Sequence, residues 1–263
     1  MSPLLEKYLV LLALALLAGA TLAQLLPRLS RAVRDQSASG LLTAVVLVLG
    51  VAIAGRWVRE AQGPFLTMYD VLLSNVFSLA FVYLVTTRVS ETARAVAGLV
   101  IPLLLVMAIW LSFVPPEAVT LPATFDNYWL WVHVLAGKVF LGLCMVCAAA
   151  ALQRLAPSEG PLVSDDGPIW SMYFIAFIAH TVMLVAGSAW AHSAWGRYWS
   201  WDTLETSTLV TWLLIAGTLH ARLTFKSMSP RVALSLVVVS FVLAFLTFFG
   251  LPFLSIGPHK GFI

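Results

Sequence analysis

Charge is what this sequence has least of. Only 10% of its 263 residues are Asp, Glu, Lys or Arg, against 61% apolar, whereas soluble domains carry about 25% charged and about 45–50% apolar residues. A water-soluble globule is excluded, and so is a disordered or collagen-like chain. Fifteen Lys and Arg, scattered through the chain, are too few for the basic stripe that nucleic acid requires, so no nucleic-acid partner is expected. Two Cys allow at most one bridge, which excludes a disulfide framework. No 20–50-residue repeat and no low-complexity linker is present, so solenoids and strings of tethered domains are excluded too. Long polar segments are also missing. The longest connections are residues 115–127, 153–168 and 191–203, and any chemistry lies on these loops or among the helices.

What the chain does have is apolar runs. A bilayer-spanning helix needs about 20 mainly apolar residues, and eight stretches qualify: residues 4–26, 41–58, 69–87, 95–114, 128–152, 169–190, 204–223 and 232–254. The expectation is an all-α polytopic integral membrane protein, with about eight transmembrane helices in one bundle and a single domain over residues 1–263. The second run is the weakest, its apolar part ending at Arg56. The first imitates a signal peptide through Thr21-Leu22-Ala23. However, Glu6 cancels Lys7 at its head, and cleavage would leave Arg28, Arg31 and Arg34 outside, so it is read as a span.

The scarce charge orients the bundle. Connections after the odd-numbered spans carry nine basic residues: Arg28, Arg31, Arg34, Arg88, Arg94, Arg154, Arg222, Lys226 and Arg231. The opposite side carries Lys7, Arg56, Arg59, Arg197 and Lys260, with Lys138 just inside the fifth span. The positive-inside tendency then puts both termini and residues 191–203 on the external face of the cell membrane.

Tryptophan is the second excess. Of ten, five lie between Trp190 and Trp212. An interfacial aromatic belt accounts for isolated Trp129, Trp131 and Trp170. It accounts poorly for Trp195, Tyr198, Trp199 and Trp201 within seven residues, with Gly196 and Arg197 among them. Indole faces stack on a planar macrocycle, Gly196 permits close backbone approach, and Arg197 suits a carboxylate. A large flat ligand with an anionic edge, such as haem, fits these residues. Asp202 and Glu205, at i and i+3, read as an Asp version of a capping box opening the seventh span, and Trp212 reads as packing.

Haem iron commonly takes His. His133 begins the fifth span and His259 follows the eighth, both near the level of the Trp-rich loop. One interfacial His means little, but two at one depth beside an aromatic loop are candidate ligands. His220 lies 16 residues into the seventh span, about 24 Å below its outer end. An intramembrane ionisable group is a functional candidate, with snorkelling beside Arg222 as its plainer reading. His180 lies about 15 Å deep, about 9 Å from the level of His220, which is awkward for two ligands of one iron, so a hydrogen-bonded structural role is expected for it. Nothing in the spacing assigns His192. Cys144-x-x-Cys147 would suit a thiol-redox protein, but it lies about 16–21 Å deep, away from water that favours thiolate, and reads as packing.

The block Trp195-Gly196-Arg197-Tyr198-Trp199-Ser200-Trp201-Asp202 resembles the W-G-x-Y-W-S-W-D block of the CcsA (ResC) family of cytochrome c maturation, within the haem-handling group that includes CcmC and CcmF. Gly63-Pro64-Phe65 with Met68-Tyr69-Asp70, Thr211-Trp212 to His220, and Gly257-Pro258-His259 resemble further family stretches, so the likeness runs from Gly63 onward. It implies that His133 and His259 are external axial ligands of haem b, that Trp195, Gly196, Arg197, Tyr198, Trp199, Trp201 and Asp202 hold the macrocycle, and that His220 serves haem within the membrane. It also implies a system II-like haem lyase that attaches haem to apocytochrome c. Because no CcsB (ResB)-like region is present, a separate subunit of that kind is implied, alongside membrane lipid. Two places depart from the family: Thr203-Leu204-Glu205 stands where Pro-Lys-Glu is usual, and His192 where Asn is usual. The alternative is a HemX-like or CcmC-like haem-binding regulator or chaperone without ligation activity. A transporter is disfavoured, since paired interrupted half-helices are lacking.

Overall fold

A computed structural model describes residues 1–26, 30–63, 66–120, 126–156, 166–225 and 228–251. Among them the regular structure is helical, with no strand. The helices are α1 (Pro3–Leu25), α2 (Arg31–Glu60), α3 (Met68–Val89), α4 (Glu91–Ala95), α5 (Ala97–Phe113), α6 (Tyr128–Leu155), α7 (Gly167–Trp195), α8 (Thr203–Thr224) and α9 (Pro230–Phe249). Six of them are long and apolar enough to cross a membrane: α1, Ala32–Glu60 of α2, α3, α6, α7 and α9. The chain is therefore a multi-pass membrane protein. The other two expected spans are the 17-residue apolar α5 and the 22-residue α8, which is enriched in Thr and carries Glu205, His220 and Arg222.

Local chemistry sets the boundaries, and it departs from hydropathy in two places. Helix α2 begins ten residues before the apolar run, because the Ser30 hydroxyl accepts from Val33 N–H and caps a polar first stretch. Between α3 and α5, Ser90 ends one helix and caps the short α4 through Ala93 N–H. Helix α3 opens on a capping box, in which Thr67 accepts from Asp70 N–H while Asp70 accepts from Thr67 N–H. Asn127 caps α6 by accepting from the N–H groups of Trp129 and Leu130.

The helices gather into two compact units, Met1–Leu121 and Pro122–Ile263. In the first, α2 packs on α1 and α3, and α5 closes a ring of four by packing on both α3 and α1. One end of this unit holds a buried ionic cluster. Arg56 pairs with Asp70 at 2.6 Å and Glu6 at 3.5 Å, while Arg59 pairs with Glu6 at 2.5 Å and Glu60 at 2.9 Å. The Arg56 guanidinium also lies 5.0 Å from the Tyr69 ring centre and donates to the Glu117 carbonyl at 2.7 Å. Glu6 and Arg56 are each only 2% exposed, so Arg56 acts inside the protein rather than as loop charge. Tyr69 and Asp70, from the stretch that resembles the family, thus close a structural clamp; Pro64 and Phe65 of that stretch lie outside the described residues.

In the second unit α6 packs on α7 and α9, and α8 on α7 and α9. Helices α6 and α7 run antiparallel, with His133 against Gly187, Gly137 against Met183, Phe140 against His180, and Arg154 paired with Asp166 at 3.2 Å. On α6, residues 133, 137, 140, 144, 147, 151 and 154 alternate steps of four and three, the heptad spacing of two helices sharing a seam. Cys144 and Cys147 fall on this seam, fully buried, as small packing residues. Helix α8 docks on α7 through Trp212, whose indole N–H donates to Thr181 Oγ1 at 2.9 Å and whose ring lies 5.3 Å from Phe177.

Candidate functional site

The Trp-rich segment starts inside a helix. Residues 191–195 form the last turn of α7, which stops because Gly196 adopts φ +73° and its N–H donates to the His192 carbonyl at 2.9 Å. Glycine takes that left-handed conformation without a Cβ clash. The connection to α8 is therefore residues 196–202, shorter than the expected loop. It also doubles back. Ser188 donates to the Tyr198 carbonyl at 3.1 Å, and the His192 ring stacks on Tyr198 at 4.2 Å and 14°. Trp190 and Trp195 meet edge to face at 4.9 Å, and Trp199 and Trp201 do so at 5.9 Å.

Trp201 is strained. Its φ is +60°, a left-handed conformation that costs a residue with a side chain about 1–2 kcal/mol. Even so, its ring points outward, 70% exposed. The following cap holds it there. Asp202 accepts from Glu205 N–H at 2.8 Å, while the Glu205 carboxylate accepts from Ser200 N–H at 2.6 Å and from its hydroxyl at 3.0 Å. The expected capping box is thus half formed, since Glu205 reaches past Asp202 to brace the loop. Its i, i+3 spacing from Asp202 signalled the cap, but nothing in the spacing pointed to Ser200. Trp199 has a buried indole N–H without a partner among the described residues. Arg197 and Tyr198 are exposed.

His133 sits in a notch. A Cβ added to Gly187 would lie 2.6 Å from His133 Nδ1, so only glycine admits the ring this close to α7. Nδ1 lies 2.9 Å from the Met183 carbonyl. A carbonyl oxygen can only accept, so Nδ1 donates this hydrogen bond. A backbone carbonyl on one nitrogen is the usual way an imidazole is oriented to ligate through the other. His133 lies in the second turn of α6, and the Tyr198 carbonyl reaches Ser188, beside Gly187. The seat of His133 and the aromatic loop therefore share one end of this unit.

The other histidines divide. His259, with Gly257 and Pro258, lies outside the described residues. His220 is exposed on α8, 3.5 Å from Thr224 Oγ1. It stands eight residues beyond Trp212, about 12 Å along the axis. His180 faces α6, fully buried and stacked on Phe140 at 3.9 Å, so His180 and His220 do not meet. The hydrogen bond expected for His180 is absent: neither ring nitrogen has a partner among the described residues. The heptad seam places it against a phenyl ring, which offers no acceptor.

These features define a class: a polytopic helical membrane protein with a strained aromatic loop above a histidine seated on backbone. The chain belongs to the cytochrome c assembly protein family, whose model matches residues 65–259. Similar curated proteins are the cytochrome c biogenesis proteins CcsA of Porphyra purpurea, 24% identical over 84% of this chain and 86% of that protein, and of Trieres chinensis, 27% identical over 86% and 87%. CcsA of Gloeobacter violaceus is 44% identical over 113 residues, 43% of this chain and 32% of that protein. Among solved structures, cytochrome c haem lyase CcmF has the same fold, with a TM-score of 0.76 over 95% of this chain at 19% identity. The chain spans about half the length of that protein, 47%.

Proposed function

We propose that this protein binds haem b and presents it at the external membrane face for covalent attachment to apocytochrome c, as one subunit of a CcsA–CcsB-type haem lyase. The observation that carries the reading is the seat of His133, whose Nδ1 lies 2.9 Å from the Met183 carbonyl at the end of the unit that also holds the aromatic loop. The residues fit haem as substrate. His133 would hold the iron on one side, with His259 as the second axial ligand. Trp195, Trp199 and Trp201 would flank the macrocycle, Tyr198 and Gly196 would shape the approach, and Arg197 would pair with a propionate. Asp202, by capping α8, keeps this loop in place.

The reaction adds each Cys S–H of the acceptor across a haem vinyl group, forming one C–S and one C–H bond without net oxidation. The chain's own contribution is orientation, which alone can supply a large part of a barrier reduction. A fixed imidazole and braced indoles hold the vinyl edges where two Cys thiols can reach them, and the strained Trp201 is the kind of outlier that marks such a site. The acceptor's own His then replaces His133 or His259 before release. His220, exposed on α8, suits a partner histidine supplied by a CcsB-like subunit rather than by this chain.

Co-expression with a CcsB-like subunit and an apocytochrome c tests the reading. Thioether-linked haem on the acceptor, lost in His133→Ala, is the expected result. Haem loading without any thioether product would instead establish a HemX-like or CcmC-like binding protein.

A further inference from the structure

The first unit contains a cavity that the haem site does not use. Its volume is about 230 Å³, below the roughly 300 Å³ at which pockets for drug-sized ligands begin and too small for a macrocycle. It lies where the C-terminal turns of α3 meet the beginning of α5 and the early part of α2. Its polar lining comes from Arg88, Arg94, Thr87 and Ser39, and its apolar lining includes Leu42 and Leu84. One carboxylate, Asp35, shares it, so the charge facing the cavity is net positive. Arg94 is fixed, donating to the Thr87 carbonyl at 2.7 Å and pairing with Glu91 at 3.1 Å. Arg88 is exposed and has no protein partner among the described residues.

The position decides what such a pocket takes. Helix ends in a membrane protein lie at the headgroup level, where a ligand is polar at one end and apolar at the other. Two guanidiniums and two hydroxyls match phosphate oxygens, and the leucines below match glycerol and acyl carbons. We propose that this cavity binds the phosphate of a membrane phospholipid, with Arg88 as the principal contact and Arg94 as the pre-positioned second. The inference rests on this unit alone and stands whether or not the haem reading does.

Native mass spectrometry of the full chain in detergent, titrated with phosphatidylglycerol in one arm and inorganic phosphate in the other, tests it. The intact protein retains phospholipid adducts. Arg88→Gln/Arg94→Gln reduces them by about tenfold or more, as loss of charge-assisted bonds to phosphate requires. Arg88→Gln alone removes a side chain without a protein partner, so its fold is undisturbed, and it gives an intermediate loss. Equal adducts on the intact protein and both variants would overturn the proposal. Displacement of the lipid by inorganic phosphate at similar concentration would overturn its lipid part, making this a site for free anion.

Discussion

Replacing Gly187 with Ala probes the seat of His133 without touching the imidazole. The new Cβ would stand 2.6 Å from Nδ1 and 2.9 Å from Cε1, so the ring must retreat by about 0.8 Å to reach ordinary contact at 3.4 Å. That retreat lengthens the 2.9 Å bond to the Met183 carbonyl beyond useful range. Overpacking costs about 1–3 kcal/mol and the lost hydrogen bond about 1 kcal/mol, offset by about 1 kcal/mol from better helix propensity. A net loss of about 1–3 kcal/mol is expected, with haem affinity reduced about tenfold because the imidazole leaves its seat on the Met183 carbonyl. Gly217→Ala is the control, since nothing lies within 4 Å of its Cβ and the same substitution there should stabilise slightly. Thermal unfolding in detergent and haem titration by absorbance read both effects. If Gly187→Ala and Gly217→Ala behave alike, His133 is not held by the notch.

Three further outcomes follow from the geometry. Trp201→Gly removes a left-handed backbone strain of about 1–2 kcal/mol, so thermal stability should hold or rise while haem affinity falls; a fall of about 3–5 kcal/mol, as for a packed Trp, would refute the strain. Arg56→Ala takes the ion-pair partner from buried Asp70, leaves Glu6 with Arg59 alone, and should cost about 3–5 kcal/mol, whereas Arg197→Ala, at an exposed position, should stay within about 0.5 kcal/mol; equal melting temperatures would contradict the clamp. Cys144→Ala/Cys147→Ala should leave haem transfer intact, and loss of transfer in a folded double variant would revive a thiol-redox role.

Among the described residues, hydropathy is enough to place every helix but the short α4, because in a membrane the apolar run and the helix are nearly the same object. It fails where polar residues continue a helix. Arg31 to Gly40 extend α2 from a Ser30 cap, and residues 191–195 extend α7 until Gly196 turns the chain. The local spacing of Asp202 and Glu205 forecasts a helix cap, but the brace to Ser200 depends on the loop doubling back. Arg56 reads as a loop charge, yet Glu6, fifty residues earlier, and Asp70 draw it inward. The aromatic block and His133 are visible in the sequence as candidates, but the seat of His133 depends on Gly187 of the next helix, and that pairing exists only once α6 and α7 share a register. His180 fails as an expected hydrogen-bonded residue for the same reason, since the register sets it against Phe140.

Iron ligation by His133 beside the aromatic loop is the proposal on which the rest of the haem reading depends. The most direct measurement is the reduced absorption spectrum of haem-loaded protein carrying His133→Ala, recorded before and after adding imidazole. The bis-histidine bands should be lost on substitution and return when imidazole fills the vacated position. Bis-histidine bands that persist unchanged in His133→Ala would contradict it.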